Sequence, residues 1–411
     1  MSEDSKPYEA VTVEVLEGVA AIRKRPGMYV GSTDERGLHH LVIEVVERAV
    51  REVLTGRAGH VDVTLTPDGG VRIADDGPGI PVEPTGDPHE PDLEALLTRL
   101  SPGPAPVGRL DLGWGWAGIG PCVANALSAR LTAEVHRAGV RWTRAYERGV
   151  AVTPLTEEGE ASGTGTVLTL WPDAEIFTTT AYSFDTLADR FRELAFLYRP
   201  LEITLTDRRH PGGTRSLRFR STGGARDLVA FLDRQSLPAG GPDVIAVERE
   251  DARMSGTLEV ALRWRDAGET RIRGYANSHP TPHGTHVQGL RDGLAAAVTA
   301  YARERRLPAE ASPDLDADRI TDRTTDRITD RITDGTTDRI ADRIADRLAE
   351  GLTAVVSVKM DGPAFEGAIR DRLGNTPVRA CVAEAVRDRL GAWLAEHPER
   401  AAALVARALQ G

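Results

Sequence analysis

Three groups of residues have the types and spacing to do chemistry. The first is Asp75-Asp76-Gly77-Pro78-Gly79-Ile80-Pro81, where two carboxylates lead straight into two glycines. An acidic pair at a strand end offers hydrogen-bond acceptors, and the glycines let the backbone turn away and leave room for a flat ring. Asp-Gly-x-Gly is also ordinary turn chemistry. The second group is Glu44 with Arg48 and Arg51, four and three residues apart and therefore on one side of a helix. A carboxylate held on a rigid helix beside a ligand suits a general base. The same residues also make a salt-bridged face, Glu44 with Arg48 and Glu47 with Arg51, at about 0.2–0.5 kcal/mol for each pair. The third group is Gly113-Trp114-Gly115-Trp116-Ala117-Gly118-Ile119-Gly120, followed by Pro121 and a helical start at Val123-Ala124-Asn125-Ala126-Leu127-Ser128. A glycine-rich loop that opens a helix presents bare N–H groups and a helix dipole to an anion such as phosphate, and proline suits the first helical position. Tight packing of a glycine loop is the alternative.

Positioning these groups falls to a few elements. Leu38 to Leu54 reads as a helix, with Leu41, Val42, Val45, Val46, Ala49 and Val53 as its apolar stripe. Val61, Val63 and Leu65 alternate, as do Val71 and Ile73 across Pro67-Asp68-Gly69-Gly70, which predicts a β-hairpin ending at the acidic motif. Ser101 to Pro106 reads as a mobile loop, and Gly163-Thr164-Gly165-Thr166 as a turn into a strand. Further along, Leu258, Val260, Leu262 and Trp264 alternate as a strand, His286 to Leu307 reads as a helix, and Thr353 to Met360 as another strand. Thr376-Pro377 is expected to cap a long helix from Val378, with a break at Pro398. Between helix and strand lies an insertion, roughly 314–346, built from tetrapeptides such as Thr329-Asp330-Arg331-Ile332. A four-residue repeat drifts by about 40° per copy at roughly 3.6 residues per turn, so its isoleucines wind around the axis. The insertion is expected to be a repeat-expanded loop, partly helical or disordered, without a site.

Composition narrows the function class. A formal charge of −11 argues against a free-standing nucleic-acid binder. Cys122 and Cys381, the only two cysteines, make neither a disulfide framework nor a metal cage, so no metal ligands are assigned. No signal peptide and no apolar run near spanning length is evident, which implies a cytoplasmic chain that does not enter a membrane.

The motifs resemble the ATPase part of DNA gyrase B, in the GHKL superfamily. They run through Arg23-Lys24-Arg25-Pro26-Gly27-Met28-Tyr29, Gly37-Leu38-His39-His40-Leu41-Val42 with Glu44-Val45-Val46, and Asp75-Asp76-Gly77 with Gly79-Ile80-Pro81. They continue through Gly118-Ile119-Gly120, Asn125-Ala126-Leu127-Ser128, Gly165-Thr166, Gly284-Thr285-His286, Val356-Ser357-Val358-Lys359 and Phe365-Glu366-Gly367, in the family's order over nearly the whole chain. The resemblance implies an α+β protein, a GHKL (Bergerat-type) α/β sandwich over 15–224 followed by a ribosomal-S5-domain-2-like transducer domain over 225–400. A dimerisation arm at 1–14 and a tail at 401–411 flank them, and no cleavage (TOPRIM) domain is expected. It further implies that Glu44 activates the attacking water and that Asp75 accepts the adenine amino group, with Thr166 sharing a water. Gly79 would leave room for the ring, Gly118, Ile119 and Gly120 would contact phosphates, and Tyr8 would reach the partner's nucleotide across a dimer. ATP is the implied cofactor.

The phosphate side departs from that pattern. Arg48 stands where the family has the asparagine that holds Mg²⁺, and arginine has no lone pair to give a metal, which puts Mg²⁺ in question. Its guanidinium would either neutralise phosphate charge in the ion's place or pair with Glu44 and block the base. Arg370 replaces the lysine that reaches the γ-phosphate, a planar fork instead of a compact ammonium. Pro78 replaces the arginine of the acidic motif, Trp114-Gly115-Trp116-Ala117 the Gly-Gly-Leu-His before the phosphate glycines, and Pro104 and Leu110 fall at the lid's lysine and tyrosine. The expectation is therefore an ATP-binding, nucleotide-gated homodimer of the type IIA topoisomerase family, with weak or lost hydrolysis and no autonomous topoisomerase activity. Gyrase A and gyrase B are the implied partners, and DNA is met only through the complex. The alternative is a non-enzymatic module that forms mixed dimers with a true gyrase B and modulates it.

Overall fold

A computed structural model of the chain describes residues 18–87, 90–100, 120–234, 244–265, 269–305, 335–367 and 370–409. The chain divides into two compact units. The first comprises Met1–Pro104, Gly115–Leu187 and Thr204–Leu217, the second Ala105–Trp114, Ala188–Ile203 and Arg218–Gly411.

In the first unit the stripe expected on the long helix is buried, and the helix spans Glu35–Leu54. Asp34 caps it, accepting from the Arg36 and Gly37 N–H groups at 2.9 and 3.4 Å. The predicted hairpin forms: Val61–Leu65 pairs antiparallel with Val71–Asp75, Val63 opposite Ile73. Its turn closes through Thr66 N–H to the Gly70 carbonyl at 2.9 Å, with Gly69 at φ +84°. Both strands bury every second residue, so their apolar face lies on the core. They sit inside a nine-stranded sheet ordered Val150–Ala151, Val140–Glu147, Ser128–Arg137, Gly165–Pro172, Val71–Asp75, Val61–Leu65, Ile203–Asp207, Arg215–Phe219, with Thr156–Glu160 also paired to Val140–Glu147. The acidic motif thus leaves the end of an interior strand, between the hairpin partner and Gly165–Pro172. Gly120–Ala126 forms the short helix expected there, with Pro121 in its first turn.

The second unit builds a mixed five-stranded sheet, Ile245–Asp251, Gly256–Trp264, Leu352–Met360, Arg271–Ala276 and His279–Pro280, in which Leu352–Met360 runs parallel to Arg271–Ala276. A three-stranded sheet, His283–Gly284, Arg372–Leu373 and Phe365–Glu366, belongs to the same unit. Two long helices, Thr285–Glu304 and Thr376–Glu396, pack against each other through Gly289 and Gly293. A Cβ at Gly289 would meet the Arg379 carbonyl oxygen at 2.5 Å, and one at Gly293 the Ala383 carbonyl oxygen at 2.6 Å. The absent side chains let the backbones approach this closely.

Two expectations for this unit need correction. The last helix pair begins at Thr376 and at Pro398. Its cap position is Asn375, not Thr376, and Asn375 turns its side-chain oxygen to the Ala364 N–H at 2.7 Å instead of capping the helix. Of the repeat insertion, 314–334 lies outside the described residues. Its end is helical, as the partly helical reading has it, but Gly335–Ala349 buries Ile344 and Leu348 in the unit's core, against the expectation that its isoleucines wind around the axis. A drift of about 40° between two copies keeps both on one face, and only a longer run would wind them apart.

Two imidazoles are built into these cores uncharged. His39 donates through Nδ1 to the Glu35 carbonyl at 2.7 Å and accepts the Ser183 N–H on Nε2 at 2.8 Å, a pattern that admits only the neutral ring. His286 is buried with Nε2 on the Thr281 carbonyl at 2.9 Å. Burial pulls both below the ordinary histidine value, His286 to about 4.

Two outcomes follow for stability. Gly→Ala in a helix interior gains about 1 kcal/mol by propensity, yet Gly289→Ala and Gly293→Ala are expected to lose about 1–3 kcal/mol by overpacking against backbone. A lower urea midpoint for the second unit would bear this out, and an unchanged or raised one would contradict it. For the histidines, the unfolded chain takes up protons that the folded chain refuses. For His286 stability is therefore full above 6.5 and falls as the pH drops toward about 4, at about 1.4 kcal/mol per pH unit, and His39 acts in the same direction. His286→Gln should flatten the acid side of the second unit's urea midpoint plotted against pH, and a variant curve parallel to wild type would refute this.

Candidate functional site

The first unit holds Glu44 and Arg48 on the Glu35–Leu54 helix, Asp75 at the end of the Val71–Asp75 strand, Gly79 after it, Gly120 at the start of the Gly120–Ala126 helix and Thr166 on the Gly165–Pro172 strand. Glu44 is 6% exposed. Its Oε1 pairs with His40 Nε2 at 3.0 Å, one helical turn back, and its Oε2 lies where a Cβ on Gly120 would fall. A side chain at 120 would push this carboxylate aside, so glycine there lets Glu44 lie against the start of the Gly120–Ala126 helix. His40 lies outside the expected set of site residues, although its spacing of four from Glu44 is visible in the sequence.

Arg48 does not block the base as one of its two expected roles would have it. It is not paired with Glu44, so the salt-bridged face holds only in part: Glu47 meets Arg51 at 3.5 Å as expected, while Glu44 turns to His40. Instead Arg48 reaches across to the acidic motif, where Nη2 pairs with Asp75 Oδ2. Its Nη1 lies 3.9 Å from Glu52, and its Nε is buried without a hydrogen-bond partner. The side chain of Asp75 is 1% exposed and that of Arg48 11%. The other Asp75 oxygen, Oδ1, accepts the Gly77 N–H at 3.1 Å. Asp75 thus ends the strand with both oxygens engaged.

Asp76 has a structural task. Its Oδ1 accepts the Gly59 and His60 N–H groups at 2.8 and 3.0 Å, fastening the loop that enters the hairpin. Thr166 stands opposite Asp75 on the paired strand, buried, and its hydroxyl accepts the Ile80 N–H at 3.1 Å. Gly79 adopts φ +79°, and a Cβ there would meet the His136 carbonyl oxygen at 2.5 Å. Clearance at Gly79 is accordingly taken up by a neighbouring strand's backbone. Arg137, also absent from the expected set, donates to the Gly79 carbonyl at 2.6 Å and fixes that turn.

Arg370 belongs to the second unit, where its guanidinium lies 5.8 Å from the centre of the Phe365 ring. Tyr8, Gly118 and Ile119 lie outside the described residues, as do Pro104, Leu110 and Trp114-Gly115-Trp116-Ala117. Among the described residues no group of three or more His, Cys, Asp or Glu is arranged to hold a metal ion. At the position where a carbonyl-bearing ligand is required, Arg48 brings only donors. These residues do not fit a protein-held Mg²⁺.

A family model described as DNA gyrase B matches residues 224–336 and 339–411, and one described as histidine kinase-, DNA gyrase B- and HSP90-like ATPase matches residues 33–176. The DNA gyrase B protein of Streptomyces coelicolor is 38% identical over 423 residues, which cover 99% of this chain and 58% of that protein. The chain thus spans less than two thirds of the length of the curated relatives it matches. Among solved structures, the 43K ATPase domain of Thermus thermophilus gyrase B, in complex with an aminocoumarin, has a TM-score of 0.71 at 30% identity and covers 95% of this chain and 94% of that one. The topoisomerase IV ATP-binding domain of Francisella tularensis has a TM-score of 0.70 at 27% identity, covering 96% and 97%. The two units carry the GHKL and transducer-like architecture of these structures. What the helix-borne glutamate and the strand-end aspartate suggest locally, the similarity along the whole chain states outright: this chain belongs to the DNA gyrase B family.

Proposed function

We propose that the chain binds ATP in its first unit and hydrolyses it weakly or not at all, acting as a nucleotide-gated dimer of the gyrase B type. In this reading residues 15–224 hold the nucleotide and 225–400 form the transducer, with the arm at 1–14 carrying Tyr8 to the partner's site. Gyrase A and gyrase B are its partners, and DNA is reached through their complex. Asp75 takes the adenine amino group, with Thr166 beside it, and Gly118, Ile119 and Gly120 face the phosphates. Glu44, oriented by His40 and held against Gly120, is the group that would take a proton from the attacking water as its oxygen bonds to the γ-phosphorus and ADP leaves.

The observation that carries the weak-turnover part is Arg48 on Asp75. Phosphoryl transfer depends on charge stabilisation and positioning around the γ-phosphate and its metal. Here the residue at the metal-ligand position has no acceptor, and its guanidinium is drawn toward the base side of the site. Glu44 meanwhile keeps both its burial and its helix-fixed position, so the proton acceptor outlasts the electrostatic apparatus it serves.

Steady-state ATPase assays with Mg²⁺ test this. Wild type is expected near background, and Arg48→Asn should raise turnover at least ~10-fold, the equivalent of about 1.4 kcal/mol in the barrier. Adding Glu44→Ala to that variant should return it to background. Turnover in the wild type that Arg48→Asn leaves unchanged would contradict the reading.

A further inference from the structure

The position of Arg48 bears on more than the metal. Its guanidinium covers Oδ2 of the carboxylate that the nucleotide reading assigns to the base, Oδ1 accepts the Gly77 N–H, and only 1% of the Asp75 side chain is exposed. A base that donates to Asp75 has to move Arg48 off it. The displaced cation keeps only the longer pairing with Glu52, at 3.9 Å, and its Nε is buried without a hydrogen-bond partner. A buried charge stripped of its partner is strongly disfavoured.

We infer that Arg48 is a latch on the base acceptor, released only by a nucleoside that carries a phosphate chain. The inference rests on the nucleotide reading above. A neutral nucleoside offers the displaced guanidinium nothing. A triphosphate offers oxygens that suit its planar fork, and Arg48 lies one helical turn from Glu44, on the helix that faces Gly120. Phosphate binding thereby opens the base site, and base recognition becomes conditional on the phosphate chain. Arg48 would in this way give selectivity against free nucleosides that share the same base.

Calorimetric titration of the full chain with adenosine and with ATP, in wild type and Arg48→Gln, tests the latch. Wild type should bind ATP and bind adenosine at least ~100-fold more weakly. Arg48→Gln should bind adenosine at least ~10-fold more tightly than wild type while binding ATP less tightly, so the preference for ATP collapses. A merely structural arginine would not raise affinity for a neutral ligand when removed. Arg48→Ala serves if circular dichroism shows Arg48→Gln unfolded. Adenosine binding wild type as tightly as ATP overturns the latch without any variant. Equal adenosine affinity in wild type and variant overturns it while leaving ATP binding in place. No ATP binding to either protein overturns both the latch and the nucleotide reading.

Discussion

A carboxylate as deeply buried as Asp75 must have its lone pairs satisfied, and the arrangement of the first unit follows from how that is done. The hairpin Val61–Leu65 and Val71–Asp75 delivers the carboxylate to a strand end inside the sheet. Gly77 then turns its N–H back onto Oδ1, and the long helix sends Arg48 across to Oδ2. Removing one partner of such a buried pair costs about 3–5 kcal/mol, so helix and strand are held to each other through it. The same helix fixes Glu44, one turn earlier, against Gly120. One ion pair therefore sets the spacing between the aspartate and the glutamate, and places a cation at the position where the family resemblance implies a metal ligand.

Much of this is legible in the sequence because it is local. The helix stripe from Leu41 to Val53 and the alternation on both sides of Asp68-Gly69 each repeat with the period of their element, and the structure buries those faces. Glu47 with Arg51 is legible for the same reason, since a spacing of four fixes neighbours on a helix. The destination of Arg48 is not. Three carboxylates compete for it, Glu44, Glu52 and Asp75, and only the tertiary placement of the strand end decides among them. Sequence spacing favours the two on its own helix, and burial favours the one across from it. Arg137 and the Gly79 turn are hidden likewise, because the contact joins residues far apart in the chain.

The second unit shows another kind of limit. Glycines at 289 and 293 read as weak points of a helix, but each marks where the Thr376–Glu396 helix comes within backbone contact. The repeat insertion reads as a loop when its period is followed over many copies. Its last turns bury Ile344 and Leu348 because two copies are too few for the drift to matter. In both cases the local rule is overruled by a partner that the sequence does not show, the Thr376–Glu396 helix for the glycines and the unit's core for the last repeats.

The central claim is that Arg48 stands in place of a metal ligand in a site that still takes nucleotide. Calorimetric titration of the purified chain with ATP, with Mg²⁺ and with a chelator instead, tests it most directly. The affinity should be the same within about threefold under both conditions, less than about 0.7 kcal/mol apart. ATP binding that disappears in the chelator would contradict the claim and return the metal to the site.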